Sequence, residues 1–129
     1  MSVQIERLQQ FPTYYSNKQL SNLGAEMYDK LGIIAPLIAT EELAELQKAI
    51  SKWVRFNTSC IEPDDLSRGT NHLNLVEEIA DVTIALEVAK YMGNISAAEL
   101  NQMIAYKIDR CKHKLADGSM TNNAMQNYK

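Results

Sequence analysis

A chain of 129 residues has the size of a single domain, since domains commonly run to about 100–150 residues. Its 46% hydrophobic and 22% charged residues, with only 5 Gly and 3 Pro, exclude a disordered tail or a collagen-like repeat. The formal charge of -3, from 16 acidic and 13 basic residues, gives no general attraction to a polyanion, so a nucleic acid polymer is not an expected partner.

Cys60 and Cys111 read as reduced thiols, and Met1 is followed by neither a basic segment nor an apolar leader, which together point to a cytoplasmic protein. The stretch from Ile79 to Ala89 is interrupted by Asp81 and Glu87 and falls short of the roughly 20 apolar residues of a membrane span, so no membrane partner is expected.

Apolar residues recur every three or four positions, which predicts an all-α chain of four helices. The first covers about 18–31, with Leu20, Leu23, Met27 and Leu31 on one face and Gly32 as its stop. Pro36 suits the first turn of a second helix reaching about Phe56. Pro63, Asp64, Asp65, Ser67 and Gly69 mark 57–71 as a surface loop. A third helix spans about 72–92 and stops at Gly93-Asn94.

Ser96 and Glu99 form a capping-box pattern that opens a fourth helix to about Leu115, closed by Asp117-Gly118. The expectation is one domain over 1–129, with a core at 18–115 and a flexible tail at 116–129, folded as an antiparallel four-helix bundle. Much of the third helix's apolar circumference would stay uncovered in a lone bundle, which argues for an oligomer.

The acidic residues are unevenly spread, with six of the 16 in two short segments. Glu41-Glu42-Leu43-Ala44-Glu45 and Glu77-Glu78-Ile79-Ala80-Asp81 are nearly the same pentapeptide, 36 positions apart on consecutive helices. At about 100° per residue, a stripe of Leu43, Leu46, Ile50 and Val54 leaves Glu42 about 60° and Glu45 about 120° from its centre. Glu78 and Asp81 take the same phases beside Leu75, Ile79, Val82 and Leu86. If the helices pack through these stripes, four carboxylates converge at one edge of the interface. Such a group must take up protons or be neutralised by cations. An all-oxygen donor set suits a hard divalent ion such as Mg2+. The competing reading of either segment alone is a solvated charged helix face.

The pattern Glu42-Leu43-Ala44-Glu45 followed by Glu78-Ile79-Ala80-Asp81 resembles the MazG-like nucleoside triphosphate pyrophosphohydrolases over about 20–115. The resemblance implies an all-α fold, a homodimer or homotetramer, and hydrolysis of a nucleoside triphosphate between its α and β phosphates to the monophosphate and pyrophosphate. It implies that Glu42, Glu45, Glu78 and Asp81 are catalytic and hold Mg2+, with Mn2+ a possible substitute, one helix-two glutamate also handling the attacking water. Lys107 and Arg110, three residues apart and so on one helix face, would bind phosphates; the alternative is that they complement the C-terminal end of the helix dipole.

Trp53 is a candidate for stacking on a base, or else a core residue; Tyr14, Tyr15 and Asn17 are further candidates near the base. His72 and His113 read as surface or capping residues. The 32 residues between Glu45 and Glu78 lie at the long end of the family's usual gap, so 57–71 reads as an elaboration. Two other classes compete: a catalytically inactive helical interaction module, and a di-iron bundle, the latter disfavoured because neither segment carries the Glu-x-x-His such sites use.

Overall fold

The computed structural model describes residues 5–58 and 65–120. Among them every regular element is helical: α1 (Ile5–Leu8), α2 (Asn17–Leu31), α3 (Ile34–Thr58), α4 (Asp65–Met92) and α5 (Ala97–Asp117). By contact the chain divides into two compact units, Met1–Asn94 and Ile95–Lys129.

The short α1 has no counterpart among the expected helices. Helix α2 opens on a capping box: the Ser16 hydroxyl accepts from the Gln19 amide at 3.1 Å, and Gln19 Oε1 accepts from the Ser16 amide at 2.7 Å. Two otherwise unpaired donors are thereby satisfied. It ends at Gly32, whose φ of 58° favours glycine and whose N–H donates to the Tyr28 carbonyl. Pro36 is the third residue of α3 rather than its start; still within the first turn, its missing N–H removes no helical bond.

The expected loop at 57–71 is largely helical. Residues 57–58 complete α3 and 65–71 add roughly two turns to the start of α4, while 59–64 lie outside the described residues. Asp and Ser favour a helix start as readily as a turn, and Gly69 inside a helix costs only about 1 kcal/mol.

In the first unit α4 packs against both α3 and α2, which also touch each other. The buried apolar core is built of small and β-branched residues: Ala35 and Ala39 of α3 with Val82, Ala85 and Val88 of α4. Small side chains let the helix axes approach closely. Helices α2 and α4 approach still more closely at Gly24, where an added Cβ would come within 2.7 Å of the Glu87 backbone. Four residues on, Tyr28 and Tyr91 meet edge to face with centroids 5.7 Å apart. The Tyr91 hydroxyl donates to Asp29 at 2.9 Å. These two levels of contact fix α2 parallel to α4.

The second unit is α5 and its flanks. The expected capping box is present: Glu99 N–H donates to the Ser96 hydroxyl at 3.1 Å and the Ser96 N–H to Glu99 Oε2 at 2.9 Å. Gly118, at φ 78°, ends the helix in the left-handed region. Of the expected tail, 121–129 lie outside the described residues.

Candidate metal centre

Because α3 and α4 run antiparallel, the two acidic segments face each other in reversed order. Glu42, Asp81, Ala39 and Ala85 border one cavity, and Glu45 and Glu78 border another. Advancing along α3 therefore means retreating along α4, and Glu42 pairs in level with Asp81 as Glu45 does with Glu78.

The acids lie on the packed faces themselves. Glu42 follows Ala35 and Ala39 at helical spacing on α3, and Glu78 and Asp81 precede Ala85 and Val88 on α4. The stripes expected to make this contact are only partly in it: Val82 is in the core and Leu46 and Leu75 are half-buried, whereas Leu43, Ile50, Ile79 and Leu86 are between 47% and 51% exposed. The expectation weighted bulky residues, while the buried contact also uses the alanines Ala35, Ala39 and Ala85.

Glu42, Glu78 and Asp81 each present a carboxylate oxygen within 4.8 Å of the others, all half-buried. Loss of solvation raises the pKa of Glu42 above its ordinary value, reinforced by the Asp81 charge, a hydrogen bond with Asp81, and the charges of Glu78 and Glu45. Glu78 is raised as well, first by loss of solvation and then by the charges of Asp81, Glu45 and Glu77. Glu78 Oε2 is buried with no hydrogen-bond partner, an expense that a cation would remove.

Three carboxylates without His or Cys could hold a divalent cation. Glu45 stands beside this group rather than in it. Its carboxylate is exposed and accepts from Lys48 Nζ at 3.3 Å, while its charge is felt by both Glu42 and Glu78.

Two cavities flank the carboxylates. One, of about 260 Å³, has walls of Leu23 and Met27 from α2, Ile38 from α3, and Ile84 and Val88 from α4, with Glu42 and Asp81 at its edge. The other, of about 250 Å³, is polar and lies between Lys48 and Lys52 of α3 and Asn71 and Asn74 of α4, with Glu45 and Glu78 in its wall. Comparison with family models, curated proteins and solved structures finds no match for the chain.

Of the remaining candidates in the first unit, none lines either cavity. Trp53 is 44% exposed and lines neither. Tyr14 and Tyr15 are exposed, as are His72 and His113. Lys107 and Arg110 are exposed on α5 in the second unit, with Lys107 Nζ 5.9 Å from the centre of the Tyr106 ring. Helical phase puts Lys107 within the α5 stripe of Leu100, Ile104, Cys111 and Leu115.

The sequence reading passed over Lys48, Lys52, Asn71 and Asn74. A usable signal was present: Asn71 and Asn74 precede Glu78, and Lys48 and Lys52 follow Glu45, each in steps of three or four residues that keep them on the acids' own face.

Proposed function

We propose that this chain is a Mg2+-dependent nucleotide pyrophosphohydrolase, hydrolysing a nucleoside triphosphate between the α and β phosphates to the monophosphate and pyrophosphate. The observation that carries the reading is the convergence of half-buried Glu42, Glu78 and Asp81 between an apolar and a polar cavity. Such a site suits a ligand with one apolar end and one anionic end. The sequence resemblance to the MazG-like enzymes supports the same conclusion.

Glu42, Glu78 and Asp81, as carboxylates, would hold a divalent cation, which when bound would polarise a phosphoryl oxygen and offset charge on the leaving group. Glu45, beside them and exposed to solvent, accepts the proton of the water whose oxygen attacks the α phosphorus; the bond from that phosphorus to the bridging oxygen breaks, and pyrophosphate leaves with the bridging oxygen. The apolar cavity packs against the nucleoside and excludes water there. The resemblance further assigns phosphate contacts to Lys107 and Arg110 and base stacking to Trp53, and those roles, with a single domain spanning the chain, belong to the proposal.

Assembly as a homodimer or homotetramer follows from the resemblance, and a second copy would cover Leu43, Ile50, Ile79 and Leu86 of α3 and α4, each about half exposed. That face also suits an inactive interaction module, the competing reading, which leaves the half-buried carboxylates without a purpose.

A panel of ribonucleoside and deoxynucleoside triphosphates, with Mg2+ or Mn2+, followed separately for pyrophosphate and orthophosphate, decides the matter. Pyrophosphate release that disappears in Glu42→Gln and Asp81→Asn, with helical circular dichroism retained, is the expected result. Full activity in either variant, or no turnover of any nucleotide by the wild type, overturns the assignment.

A further inference from the structure

The polar cavity contains a feature that the metal centre does not require. Asn71 is only 8% exposed, and its Nδ2 has no hydrogen-bond partner. Leaving a buried amide unpaired costs about 1–3 kcal/mol, and buried polar groups are nearly always paired. Asn71 lines the cavity together with Asn74, one turn along α4, and Lys48 and Lys52, one turn apart on α3. Carboxamide NH2 groups and ammonium groups are all donors, and they outnumber the acceptors available on these four side chains. The floor is Glu78, shared with the carboxylate group. A volume of about 250 Å³ is room for roughly eight waters.

We infer that this cavity is a diphosphate subsite, in which Lys52, Lys48, Asn74 and the buried amide of Asn71 donate to the two terminal phosphoryl groups of a polyphosphate ligand. The subsite rests on the proposed function for its orientation, since it places the leaving pyrophosphate on the side of the carboxylates away from the apolar cavity. Charge sets a condition on binding. Glu45, Glu77 and Glu78 against Lys48 and Lys52 leave the cavity wall with one more acid than base, so a bare anion is repelled. A divalent cation on the carboxylates reverses that balance, and the anion enters only as its partner. Lys48 is held by Glu45 at 3.3 Å in the free protein and becomes available when Glu45 turns to the attacking water.

The test titrates inorganic pyrophosphate into the full-length protein by calorimetry, in Mg2+ and in EDTA, with orthophosphate and a nucleoside monophosphate as parallel ligands. The variants are Lys52→Met, Asn71→Leu and Lys52→Arg. Pyrophosphate is expected to bind in Mg2+ and not in EDTA, about tenfold more weakly to Lys52→Met and to Asn71→Leu, in keeping with the loss of one charge-assisted or buried hydrogen bond. Binding is expected to return in Lys52→Arg, and monophosphate binding is expected to be the same in all four proteins.

Should Asn71→Leu fail to fold, the exposed Lys52 carries the comparison alone. Pyrophosphate that binds Lys52→Met within twofold of wild type, that binds equally in EDTA, or that does not bind although Mg2+ raises the melting temperature, overturns the subsite and leaves the metal centre standing. Pyrophosphate binding that responds to these variants, in a protein that turns over no nucleotide, sustains the subsite and removes the hydrolytic reading instead.

Discussion

Replacing Glu78 with Gln should stabilise the metal-free protein while destroying its response to Mg2+. The oxygens of Glu42, Glu78 and Asp81 lie within 4.8 Å of one another. At that limiting separation two unit charges repel by about 3.5 kcal/mol for an effective dielectric of about 20, and by about 0.9 kcal/mol in bulk water. Glu78 faces two such neighbours, but all three groups are only half-buried, so solvent screens part of the repulsion. The relief on removing the Glu78 charge therefore falls toward the lower figure, about 1–2 kcal/mol in total.

The Gln amide can also donate to a neighbouring carboxylate where Glu78 Oε2 now has no partner. At about 3–5 °C per kcal/mol for a chain of this size, the melting temperature in EDTA should rise by about 3–10 °C. In wild type, Mg2+ at a hundred times its dissociation constant should add about 2.7 kcal/mol; in Glu78→Gln it should add little. The assay is thermal unfolding by circular dichroism, with and without Mg2+, in both proteins. A variant less stable than wild type in EDTA, or one stabilised by Mg2+ as much as wild type, refutes the account of these carboxylates as a repulsive set awaiting a cation.

Three further outcomes follow from the same structure. Because Glu42 and Glu78 have raised pKa values, the folded state holds more protons than the unfolded state above the ordinary carboxylate value. The stability they contribute is thus full at lower pH and lost as pH rises through their folded values. Wild type minus Glu78→Gln melting curves in EDTA should fall across that window, and saturating Mg2+ should remove the fall. Gly24→Ala should lower stability by about 1–3 kcal/mol, since its Cβ would meet the Glu87 backbone at 2.7 Å; chemical denaturation measures it, and an unchanged midpoint would show that α2 and α4 separate at no cost. Ile79→Asp, on the half-exposed apolar face where Ile79 is 50% exposed, should yield a smaller species by light scattering with its helical content kept, whereas an unchanged mass would remove that face from the assembly.

Helix positions were legible wherever local chemistry set them. Ser96 with Glu99 announced α5, and Gly32 announced the end of α2, because caps and left-handed stops depend on neighbours in sequence. The start of α4 was misjudged because Asp and Ser serve helix starts and turns alike. The convergence of Glu42, Glu78 and Asp81 was visible in phase arithmetic, yet the face that carries them only in part. Periodicity counts hydrophobic bulk, and the buried contact between α3 and α4 joins Val82 of the expected stripe to Val88 and to alanines that periodicity weights little. Asn71 and Asn74 were missed for a related reason: an amide signals nothing until burial shows that it lacks a partner.

The pairing of Glu42 with Asp81 and of Glu45 with Glu78 sets the acids of α3 and α4 at two levels, one bordering each cavity. The levels are not alike: the two helices line one cavity with Lys48, Lys52, Asn71 and Asn74 and the other with Ile38, Ile84 and Val88. Leu23 and Met27 of α2 wall only the second, so the third helix widens that difference. What it supplies, beyond stability, is a sense of direction: a ligand lying across the acids would meet an apolar end and a polar end.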